Sequence, residues 1–187
     1  MSFKVSFRKS FFRLLTAITV VLCFSPSAVL AATDTHSTAD ATVTISAGTT
    51  TNNKQSITAD NVTLENNGVI DWTGNSGVVA NSRTGVTVNN NSGASILTSG
   101  IYAVKAQSGT DFTLTNSGTI TAGTNYAVDV NQSTGSTITN NAGGVISAQK
   151  WAINALLSTT SSLTLTNSGK IFTTGANTTV QLTDATG

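Results

Sequence analysis

A single phrase returns five times in this chain and leaves few folds open to it. An apolar residue leads, an Asn follows two positions later, and then come Gly and Ile. The five copies are Leu64–Ile70, Val88–Ile96, Leu114–Ile120, Ile138–Ile146 and Leu165–Ile171. Their lead residues are 24, 26, 24 and 27 positions apart. A unit of about 25 residues built from short β patterns cannot bury its apolar face alone. Stacked copies can, which makes the chain a solenoid with one coil per repeat.

One copy shows how a coil forms. Phe112-Thr113-Leu114-Thr115-Asn116 alternates apolar and polar, the signature of a strand with one buried face. Asn116-Ser117-Gly118 turns the chain, because Asn and Gly accept left-handed backbone angles. Thr119-Ile120-Thr121 is a second strand, and Gly123 turns again. A third strand runs from Tyr126 to Val130, with Tyr126, Val128 and Val130 directed inward. Three strands and three turns make one rung of a parallel β-helix, with rungs ~4.8 Å apart. The fold class is all-β, a parallel β-helix of about five coils of ~25 residues.

Stacking the copies predicts three inward columns. They are Leu64, Val88, Leu114, Ile138 and Leu165; then Ile70, Ile96, Ile120, Ile146 and Ile171; then Val79, Val104, Val128, Ile153 and Val180. Branched aliphatic residues suit a parallel sheet buried in the interior. Asn66, Asn90, Asn116, Asn140 and Asn167 form a fourth column, read as a structural ladder of side-chain amides. Tyr102, Tyr126 and Trp151 align as an aromatic column, assigned to the core by their alternation with Val104, Val128 and Ile153. Lys105 and Asp129 share an outward column and are expected to pair across coils. Thr63, Thr87, Thr113, Thr137 and Thr164 make a candidate surface-binding column, joined by Thr115, Thr139 and Thr166 on the later coils. A regular hydroxyl array of this kind can meet a glycan, another β-surface or ice.

The first 32 residues read as a signal peptide. Lys4, Arg8, Lys9 and Arg13 precede a mostly apolar run from Leu14 to Phe24, too short for a stable bilayer span. Cleavage is expected after Ala31 or Ala32. It would carry away Cys23, Pro26 and Met1, each the sole residue of its type. Five cations then face eight acids, a net charge of −3 in place of the +1 of the whole chain. That balance offers no basic patch for nucleic acid. Export machinery is the one partner that the leader itself implies.

Residues 33–61 read as a leader, flexible over 33–41, followed by an irregular coil. The repeats proper then span 62–187. No polar capping element follows Val180-Gln181-Leu182, so either the open coil edge serves self-association or the chain is the front of a longer product.

An exported leader followed by Phe112-Thr-Leu-Thr-Asn-Ser-Gly-Thr-Ile120 and Leu163-Thr-Leu-Thr-Asn-Ser-Gly-Lys-Ile171 resembles the passenger region of Gram-negative autotransporters. The likeness covers residues 62–187. It implies a right-handed β-helix at the cell surface or released from the outer membrane, meeting host or surface glycan or protein. The family's membrane barrel would be a run of ~10-residue alternating strands, which this sequence does not contain.

No enzyme is expected. The acids are scattered, and His36 is the lone histidine and lies in the leader, which gives a Ser-His-Asp arrangement no plausible geometry. Zinc spacings and the glycine-rich calcium nonapeptide do not occur. No catalytic residue, cofactor or metal is assigned.

Overall fold

The computed structural model describes residues 32–156 and 162–183. The expected signal peptide lies outside them up to Ala31. Every described element is a strand. After β1 (Thr33–His36) come six coils of three strands each. Coil 1 is β2 (Thr42–Ile45), β3 (Thr50–Thr51) and β4 (Lys54–Ile57). Coil 2 is β5 (Thr63–Asn66), β6 (Val69–Trp72) and β7 (Ser76–Val79). Coil 3 is β8 (Thr87–Asn90), β9 (Ser95–Thr98) and β10 (Tyr102–Lys105). Coil 4 is β11 (Thr113–Asn116), β12 (Thr119–Ala122) and β13 (Tyr126–Asp129). Coil 5 is β14 (Ser136–Asn140), β15 (Val145–Ala148) and β16 (Trp151–Leu156). Coil 6 is β17 (Leu163–Asn167), β18 (Lys170–Thr173) and β19 (Val180–Thr183).

Equivalent strands stack into three parallel sheets. Sheet A runs β1-β4-β7-β10-β13-β16-β19, sheet B runs from β2 to β17, and sheet C from β3 to β18. The fold is thus a parallel β-solenoid of six coils. The five expected from the repeat are joined by a regular coil over residues 42–57, where an irregular one was anticipated. The expected flexible leader also enters the ladder: β1 pairs with β4, Asp34 opposite Gln55 and His36 opposite Ile57.

The interior is aliphatic. Leu64, Val88, Leu114 and Ile138 from sheet B, and Ile70, Ile96, Ile120 and Ile146 from sheet C, are fully buried. Sheet A departs from the expected pattern. Val78, not Val79, stands opposite Val104, while Val79 stands opposite Lys105. The cause is turn length. Two residues connect β5 to β6, whereas four connect β8 to β9. The coil period is therefore 24 residues in sheet B and 26 in sheets C and A at this step, from Leu64 to Val88 against Val78 to Val104. A one-residue slip in register exchanges the two faces of a strand.

Short and long B–C turns alternate along the whole solenoid. Coils 1, 3 and 5 have the four-residue turn, and coils 2, 4 and 6 the two-residue turn. The long turns place Gly48, Gly93 and Gly143 at φ of 75°, 80° and 85°, in the left-handed region that glycine occupies freely. The short turns seat a glycine against the long turn before it. A β-carbon on Gly118 would collide with the carbonyl oxygens of Ala94 and Asn91, and one on Gly169 with those of Gly144 and Asn141. The repeated Gly thus has two different physical reasons in alternate coils.

These reasons separate by substitution. Gly118→Asn is expected to cost about 1–3 kcal/mol through overpacking against backbone. Gly93→Asn has open space and a residue that tolerates left-handed angles, so its cost is expected to be small. Chemical unfolding midpoints of the two variants check this, and equal losses would contradict it.

Candidate functional site

The Asn column lies inside the solenoid. Asn66, Asn90, Asn116, Asn140 and Asn167 are in direct register. The first four are buried, and Asn167 on coil 6 is exposed. Each amide nitrogen donates to the next Oδ1 at 2.8 Å, from Asn66 through to Asn167. Each also donates to a carbonyl of the following coil: Ser95, Thr119, Val145 and Lys170. In the short-turn coils the Oδ1 further accepts the amides of Gly68, Gly118 and Gly169. A buried amide with both protons engaged stabilises the strand edge and the turn together.

The threonine column occupies the outer face of sheet B. Thr63, Thr87, Thr113, Thr137 and Thr164 are in register and half-exposed to exposed, and Thr42 extends the row. The neighbouring row is Thr44, Glu65, Asn89, Thr115, Thr139 and Thr166. Glu65 is held there by the side-chain amides of Asn89 (2.6 Å) and Asn91 (3.2 Å). Hydroxyls repeat at the coil spacing of ~4.8 Å along the first row, while Glu65 and Asn89 interrupt the second.

The aromatic column corrects the core assignment. Tyr102, Tyr126 and Trp151 are half-exposed on the outer face of sheet A. The strands there bury two consecutive residues, Ala103–Val104, Ala127–Val128 and Ala152–Ile153, which breaks the alternation and turns the preceding ring outward. The rings stack with centroids 5.4 and 5.1 Å apart and planes inclined by 13°. Lys105 Nζ lies 4.7 Å from the centroid of Tyr102, and Lys150 Nζ lies 5.7 Å from that of Trp151. These are cation–π distances.

Asp129 also differs from expectation. It stands opposite Lys105 in register, yet its side chain is 1% exposed. Its oxygens accept Gln107 Nε2 (2.7 Å), Asn154 Nδ2 (3.0 Å) and the Asn131 amide (3.1 Å), while the Lys105 ammonium rests on Tyr102. Burial pushes the Asp129 carboxyl above its ordinary range. The Asn131, Gln107 and Asn154 hydrogen bonds and the Lys105 charge oppose that push. Burial, and then the Asp129 charge, push the Tyr102 and Tyr126 phenols up as well.

A second, partly buried polar network joins β1 to the first coil. Gln55 is fully buried, donates to Asp34 Oδ2 (2.8 Å), and receives His36 Nε2 at 2.9 Å. With Gln55 donating to Asp34, its oxygen is the acceptor and His36 Nε2 carries the proton. Asn53 donates to the other Asp34 oxygen at 3.0 Å. His36 is therefore an inward residue of β1. Its period-2 spacing from Asp34 was the available signal.

No group of three or more metal-ligating side chains occurs among the described residues. A shallow pocket of about 300 Å³ lies at the B–C turns of coils 5 and 6, lined by Gly143, Gly144, Val145, Ser168, Gly169 and Lys170. Compared with known proteins, the chain matches no family model, no curated protein and no solved structure.

Two outcomes test these networks. Asn116→Ala strands the Asn90 donor and the Asn140 acceptor, and is expected to cost about 1–3 kcal/mol in chemical unfolding. Asp129 has a raised folded pKa, so its contribution to stability is present at acid pH and lost as pH rises through that pKa. The stability of Asp129→Asn relative to the native chain is therefore expected to improve as pH rises from the acid range to 7. Unfolding midpoints of the two proteins across that range check this, and a difference independent of pH would contradict the assignment.

Proposed function

We propose that this chain is an exported, non-enzymatic β-solenoid of the autotransporter-passenger kind, adhesive or structural in role. The observation that carries the reading is the extended outer face of sheet B. Two rows of mostly threonine side chains run in register across six strands, a surface suited to lateral contact rather than to enclosing a small substrate. The leader read from residues 1–32 supports export. The resemblance of residues 62–187 to passenger repeats supports display, and with it the right-handed twist. The placement of the carboxylates supports a non-enzymatic role. Asp71 is exposed on sheet C, while Asp129 is buried on sheet A with its oxygens occupied by hydrogen bonds.

An immunoblot of fractionated native cells, with antibody to residues 112–171, tests the main reading. Signal in the outer membrane or medium is the expected result, and signal confined to the cytoplasm contradicts it. Binding of intact cells to glycan- or protein-coated surfaces, with and without the gene, then separates an adhesive role from a structural one.

A further inference from the structure

We propose that the Tyr102–Tyr126–Trp151 strip on sheet A is a binding site for an acidic glycan chain lying along the solenoid axis. The proposal deepens the adhesive reading, on which it rests, and moves the contact from the threonine face to a different sheet.

Three observations carry it. First, the rings are half-exposed although inward positions lay one residue away, where the strands bury Ala103–Val104 and Ala127–Val128. Second, the near-parallel rings stand wide apart: their centroid separations of 5.4 and 5.1 Å exceed the ~3.5–4.0 Å at which carbon atoms pack, so the rings are not in full face contact. Partly bare rings at coil spacing offer apolar platforms to the C–H faces of successive sugars. Third, Lys105 and Lys150 place an ammonium over each end of the strip. Neither makes a salt bridge among the described residues, where Arg83–Asp60 at 4.0 Å is the ion pair present. Two separated cations suit a chain with well-spaced carboxylates.

The charge balance selects among polyanions. Nucleic acid binding draws on many phosphate contacts and a basic surface. The described residues include five cations and seven acids, and only two of those cations border the strip. An acidic peptide would use the same lysines but has less use for the rings. That difference is built into the test.

Oligogalacturonate, its methyl-esterified form and poly-glutamate are titrated into the whole chain, followed by calorimetry and by tryptophan fluorescence in a Trp72→Phe background. Saturable binding of oligogalacturonate is expected, weaker for the ester and for poly-glutamate. Trp151→Ala is expected to weaken it about tenfold or more, with Trp151→Phe keeping most of the affinity. Lys105→Gln with Lys150→Gln should abolish the preference for acid over ester. Circular dichroism and unfolding midpoints establish that each variant is folded. Absent binding of oligogalacturonate, equal binding of poly-glutamate, or affinity unchanged in a folded Trp151→Ala would each overturn the proposal. Should cells adhere through this protein while the strip variants bind and adhere as before, the strip assignment fails and the adhesive reading stands.

Discussion

The asparagine ladder is the interaction on which the rest of the solenoid depends. Columns of Leu, Ile and Val decide which face of a strand is buried, but they do not choose among registers two residues apart. Such a slip keeps the same face inward. One Asn per coil removes the ambiguity. Slipped by two, Asn116 would set its amide against aliphatic neighbours such as Ile138 and leave a buried donor without a partner. In register, the amide holds the next coil through its side chain and its own short turn through the glycine N–H.

The alternation of short and long turns follows from the same stacking. A narrow turn nests into the wide one before it, so successive coils differ and the repeating unit is a pair. The two ends of the stack differ as well. Coil 1 carries a partly buried polar network around Gln55, while coil 6 presents aliphatic side chains.

Much of this was legible in the residues. Sheet B and most of sheet C alternate inward and outward residues, so Leu114, Ile120 and Asn116 follow from counting. Sheet A resisted because it buries Ala127 and Val128 together. Period-2 reasoning then turned Tyr126 inward and made Val130 its companion, and only Val130 is buried. Val79 was misplaced because a constant period was assumed where two turn lengths alternate. The burial of Asp129 has no local signal. It needs Gln107 and Asn154, 22 and 25 residues away, to arrive at the same point. The polar role of β1 was hidden by its Thr- and Asp-rich composition, which resembles that of a leader.

Exchange of the asparagine side-chain amides, followed by nitrogen-15 NMR, reports on the ladder itself. Strong protection is expected for Asn66, Asn90, Asn116 and Asn140, whose two protons are both bonded, and rapid exchange for the exposed Asn167. Rapid exchange of all five would mean that the column is a row of solvated turn residues, and that something other than the ladder holds the coils in register.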